Sequence, residues 1–210
     1  MTRWNRTMQA YVEAHMPYFI FVSVLFVMGV LFGAMLVNAM TLEQKQNLAY
    51  QLNEFFLAMD PQSLAGGTFR ASLGLHLKWL LLIFVLGVSV VGMPLVLILD
   101  FVKGMLLGFS IGFLVGELSW KGALFAVLTI APQNLLAVPT LLIVSVASLS
   151  FALFVIRNRF LHQRGSLSEQ FTRYGAISLL AALVLFAVSL FEGFVVPALI
   201  GWVSPWLIEA

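Results

Sequence analysis

Five stretches of the chain stay apolar for about as long as a bilayer is thick, without the alternation of a strand. A helix needs about 20 apolar residues to cross a ~30 Å hydrocarbon core. The first stretch runs over 17–39, carries no charge and opens at Pro17, which suits a first helical turn. The second covers 75–91 and ends at Gly92-Met93-Pro94, and the third lies within 95–118. The region 122–156 is too long for one span and is interrupted by Ala131-Pro132-Gln133-Asn134. It divides into a half-helix at 121–131, read as re-entrant, and a full span at 135–156, and the last span is 175–200. The pattern predicts an all-α fold: a polytopic membrane helical bundle of five transmembrane helices plus the half-helix, forming a single integral membrane domain over 1–210.

One sizeable polar piece, 41–72, interrupts this pattern. Thr41-Leu42-Glu43-Gln44 fits a capping box, in which the Thr and Gln side chains take the orphan amides of a helix start. Leu48, Leu52, Phe55, Phe56 and Met59 then recur at helical spacing. Asp60-Pro61 and Gly66-Gly67 end the periodicity, so an amphipathic helix followed by a flexible return is expected. Its apolar face can serve as a partner-docking face, lie on the membrane surface, or cover the top of the protein's own bundle.

Composition removes most other classes. Apolar residues make up 61% of the chain and charged residues 10%, against roughly 25% charged in a soluble domain. An ordinary soluble enzyme is excluded, and a net charge of +2 gives no nucleic-acid footprint. A membrane β-barrel would alternate apolar and polar residues. There is no cysteine, hence no disulfide or thiolate chemistry. The first apolar stretch is too long for a signal-peptide core and reads as an uncleaved span. Arg3 and Arg6 precede the first span, and Arg157, Arg159, Arg164 and Arg173 lie between the fourth and fifth. Four crossings separate the two groups, so both fall on one side. The positive-inside rule makes 1–16 and the loop 157–174 cytoplasmic, 41–72 extracytoplasmic, and the C-terminus extracytoplasmic.

Several constellations carry possible chemistry. Gly104, Gly108, Gly112 and Gly116 repeat every fourth residue, and Gly29 and Gly33 form a shorter version. Such faces let helix backbones approach closely, within the chain or in a homo-oligomer. Gly108-Phe109-Ser110-Ile111-Gly112 matches G-x-S-x-G, but inside a membrane helix it lacks the strand-to-helix turn a nucleophile elbow needs. Ser110 is expected to bond its own helix or a neighbour. His15, His76 and His162 lie near span ends without metal spacing and read as interfacial side chains, so no metal or cofactor is expected. Asp100 and Lys103 share a helix face and either neutralise each other or sit at the inner boundary, while Glu117 and Lys121 flank the outer turn. Glu192 stands well inside the last span and must protonate, snorkel or find a partner on another helix. Pro197 is expected to kink that helix. A non-helical turn at Pro132-Gln133-Asn134 would be tolerated at membrane depth only in a protein-lined or wet setting, with Asn134 capping the helix that follows. Gln133, Asn134 and Glu192 are therefore the candidate buried polar residues.

Five segments together resemble a known family. Val27-Met28-Gly29-Val30-Leu31-Phe32-Gly33-Ala34-Met35-Leu36-Val37-Asn38 is similar to the start of stage II sporulation protein M, as are Gln44-Lys45-Gln46 and Leu52-Asn53-Glu54-Phe55-Phe56. Ala131-Pro132-Gln133-Asn134-Leu135 and Phe191-Glu192-Gly193-Phe194-Val195-Val196-Pro197 resemble its later motifs. The resemblance implies a non-enzymatic scaffold in the mother-cell septal membrane of endospore-forming bacteria. There it would localise and organise two septal peptidoglycan hydrolases, sporulation proteins D and P, during engulfment. The competing reading is a transporter or permease-like component with a polar site at the broken helix. An intramembrane enzyme lacks a nucleophile–base pair.

Overall fold

The computed structural model describes the backbone of residues 3–57, 61–89, 91–160 and 166–208, and side chains within 15–51, 54, 67–89, 91–158 and 166–201. Among the described residues there are six helices and no strand: α1 (Arg3–Ala39), α2 (Leu42–Leu57), α3 (Pro61–Val88), α4 (Gly92–Thr129), α5 (Ala131–Phe160) and α6 (Leu167–Ile208). All but α2 are long and apolar enough to cross a membrane. Large apolar side chains point outward around the bundle, including Leu31, Met35, Leu81, Val85, Leu179 and Leu183. His76, Asp100, Ser145, Ser148 and Ser189 point inward. Water would drive the opposite arrangement, and a hydrocarbon solvent accounts for this one.

Two helix pairs frame the bundle. In the first, Gly104 faces Phe26, Gly108 faces Val30 and Gly112 faces Ala34. Both partners advance by four residues at each step, so α1 and α4 run parallel. From the other side, Gly29 meets the Phe101 carbonyl and Gly33 the Met105 carbonyl. A Cβ at Gly29, Gly33, Gly104 or Gly108 would overlap a backbone carbonyl of the partner. The expected glycine faces are thus spent on each other within one chain. Gly116 is the exception: an added Cβ there meets only Val37 Cγ1, at 3.9 Å.

The second pair is α3 with α6. Phe69 packs on Gly193 and the Tyr174 hydroxyl donates to the carbonyl of Ile83 at 3.1 Å, so these helices run antiparallel. Between the pairs stands α5, with 56% of its apolar window buried against 22–33% for the other spans. Its small residues allow this: Ala137, Val144, Ser145, Ser148 and Ala152 are all fully enclosed.

The boundaries differ from the sequence reading in three places. First, α1 begins at Arg3 and continues through Pro17, an exposed position at which one helical rung is lost. Second, the flexible return expected after residue 60 is helical. Pro61 occupies the first position of α3, where its missing N–H costs nothing, and the helix carries on through Gly66-Gly67. Third, the break in the 95–156 region falls at Ser119, not at Pro132-Gln133-Asn134. Ser119 takes a left-handed φ of 52° with ψ −129°. The expected half-helix follows it, folded back so that Gly122 lies on the Leu114 carbonyl and Phe125 and Ala126 pack with Leu114. At its far end Ile130 stays right-handed, with its N–H bonded to Ala126 at 2.9 Å, and Asn134 N–H reaches Ile130 at 3.3 Å. Pro132 removes one rung, yet its fixed φ suits the first turn of α5, which it joins. The capping box at the start of α2 is formed as expected: Thr41 N–H donates to Gln44 Oε1 at 3.0 Å and Gln44 N–H to Thr41 Oγ1 at 3.3 Å.

Three substitutions test this architecture. Gly108→Ala should destabilise the protein by about 1–3 kcal/mol through overpacking, whereas Gly116→Ala should be neutral or mildly stabilising. Thermal unfolding in detergent separates them, and equal effects would contradict the tapering contact. Ser119→Gly should raise stability by up to ~1 kcal/mol, because glycine adopts the left-handed backbone without a Cβ penalty.

Candidate functional site

Glu192 is not stranded in the membrane interior. Ser72 Oγ and His76 Nε2, both from α3, donate to its two carboxylate oxygens, the His76 contact measuring 3.1 Å. His76 is 4% exposed and the Glu192 side chain 15%. Lys103 of α4 interacts electrostatically with Glu192, and its ammonium lies 5.4 Å from the centroid of the Trp79 ring. One acid, one imidazole and one ammonium thus converge from α6, α3 and α4. Opposite charges and donors surround the carboxylate, so it needs neither water nor the interface.

This geometry changes two expectations. His76 is buried and paired, not interfacial. Asp100 and Lys103 do not neutralise each other: Asp100 is 3% exposed and accepts from Ser145 Oγ of α5 at 2.8 Å, while Lys103 turns to Trp79 and Glu192. Residues three apart on a helix diverge by about 60°, enough to address two different neighbours. The second oxygen of Asp100 and Nδ1 of His76 are buried without a hydrogen-bond partner. Ser110 donates to the Leu106 carbonyl at 2.9 Å, a bond within its own helix. His15 packs edge-on against Tyr18, and His162 lies outside the described residues.

Gln133 and Asn134 do not join Glu192. Asn134 Nδ2 donates back to the Ile130 carbonyl at 2.8 Å, bracing the α4–α5 junction in place of the expected cap. Gln133 is half-buried, its Oε1 unpaired, and it lines an apolar groove of about 450 Å³. Phe109, Phe113, Phe125 and Ile200 form its walls, and Leu48 and Gln51 of α2 reach it from the outside. Of the expected face on α2, Leu48 is thus half-buried against the groove; outside that face, Leu42 and Tyr50 are exposed. The backbone of Leu52, Phe55 and Phe56 is helical, but their side chains, and all of Met59, lie outside the described residues.

Five crossing helices, an apolar exterior and charges resolved between helices define a polytopic helical-bundle membrane protein. Residues 22–197 match the family model of stage II sporulation protein M, and the chain belongs to that family. No curated protein and no solved structure matches the chain.

If the polar cluster ties α3 to α6, His76→Ala and Glu192→Ala should not be additive. A double-mutant cycle followed by thermal unfolding should give a coupling of about 0.5–2 kcal/mol. Strict additivity would show that the contact contributes nothing beyond its separate parts.

Proposed function

We propose that this sporulation membrane protein is a non-enzymatic scaffold, which holds septal peptidoglycan hydrolases of the sporulation D and P type at the engulfing membrane of the mother cell. Its N-terminus faces the cytoplasm and α2 faces the wall. The observation that carries this reading is the pairing of α2 with the groove it overhangs. In a family tied to sporulation, the amphipathic helix α2 lies at one end of the bundle, opposite the end bearing Arg157 and Arg173. Leu48 seats that helix on the groove, and Leu42 and Tyr50 leave apolar surface beside it. Anchored hydrolases would dock there through their own apolar segments. The basic residues at the opposite end support the orientation through the positive-inside rule. Glu192 acts as a lock between helices in this reading, since Ser72 and His76 already occupy its carboxylate.

The test is co-purification from sporulating cells in mild detergent. Replacing Leu48, Leu52, Phe55 and Phe56 together with Gln should cut hydrolase recovery by about tenfold or more while membrane insertion is unchanged, as expected for loss of an interface hot spot. Undiminished recovery would remove α2 as the docking surface. Recovery of transport ATPases in place of wall hydrolases from the unaltered protein would favour a permease-like component.

A further inference from the structure

At the end of the bundle opposite α2, a polar pocket of about 290 Å³ opens between α1, α5 and α6. Arg157, Arg173, Gln170, His15 and Tyr18 supply its polar rim. No acidic side chain lines it among the described residues. Three of the rim residues stand near helix ends: Arg157 lies in the last turn of α5, which ends at Phe160, and Gln170 and Arg173 lie in the first two turns of α6, which starts at Leu167. The pocket therefore sits at headgroup level, where bilayer phosphates lie.

Directly beside it runs a second depression of about 330 Å³, lined by Met16, Phe19, Ile143 and Val146. The two share His15, Ala147 and Ile177, so a basic, hydrogen-bonding pocket passes into an apolar groove along the outside of α1 and α5. Small Ala147, buried at the junction, leaves the passage open.

We propose that the paired depressions bind one anionic glycerophospholipid. Its phosphate lies between the Arg157 and Arg173 guanidiniums, and an acyl chain follows the groove past Phe19 and Ile143. Charge selects the headgroup: two guanidiniums offer forked donors to phosphate oxygens, and a choline ammonium would be repelled by the same pair. Shape selects a lipid over a free anion, because inorganic phosphate makes no use of the apolar extension. Basic pockets between transmembrane helices at a membrane face are suited to such headgroups. The site is independent of the hydrolase reading and lies at the other end of the molecule.

The experiment is native mass spectrometry of the full-length protein in detergent. It is exposed to equimolar phosphatidylglycerol and phosphatidylcholine, with thermal stability measured in parallel. Phosphatidylglycerol should be retained with about tenfold preference and should raise the melting temperature. The doubly substituted Arg157→Gln/Arg173→Gln protein should lose that preference, and Arg157→Lys/Arg173→Lys should keep most of it. Both arginines are exposed, and the competition on the unaltered protein decides the matter even if a variant misfolds. Equal retention of the two lipids, an unchanged preference in the Gln variant, or displacement of phosphatidylglycerol by inorganic phosphate would each overturn the proposal.

Discussion

The parallel contact between α1 and α4 fixes where everything else can go. Lipid gives two apolar helices no hydrophobic reason to associate, so packing must come from dispersion at short range. Gly29 and Gly33 on one helix and Gly104 and Gly108 on the other bring the backbones within carbonyl contact. With α4 held this way, its other faces acquire fixed directions: Asp100 toward Ser145 of α5, and Lys103 toward Trp79 and Glu192. The glycine seam therefore positions the charged residues without touching them.

Those charges organise the second half of the bundle. Tyr174 closes the α3–α6 pair near one end, where its ring stacks between Phe84 and Phe151 at centroid distances of 5.0 and 5.6 Å. Ser72, His76 and Glu192 close it nearer the other. The central α5 touches both pairs and buries hydroxyls where a soluble protein would bury larger apolar groups. The α2 groove lies at one end of the bundle and the arginine pocket at the other.

Much of this was legible from residue order because membrane solvent imposes simple rules. The number of crossings, the glycine faces and the Thr41–Gln44 capping box all follow from local spacing, and all are present. Glu192 announced itself as an acid that needed a partner, but the partner was hidden. Arg70, His76 and Lys78 lower the hydropathy of early α3, which made that span begin late and left His76 looking interfacial. In fact α3 begins at Pro61, which puts His76 near the middle of a 28-residue helix. The break at Ser119 had no sequence signal, since serine gives no hint of a left-handed backbone, while Pro132 gave a strong signal for a turn that the helix absorbs. Gly87, Gly122 and Gly193 also make close contacts that lone glycines do not advertise.

The parallel seam also has a consequence for the order of events at the ribosome. Gly29 and Gly33 enter the bilayer with the first helix, but the backbone they are shaped to meet lies beyond Gly92. Until α4 has been synthesised and inserted, α1 stands in the membrane with its narrowest face open to lipid or to any neighbouring helix. A chain interrupted during translation would expose that same face permanently. Helix α6, made after α4, then arrives at a bundle whose frame is already set, and Glu192 finds Ser72 and His76 waiting.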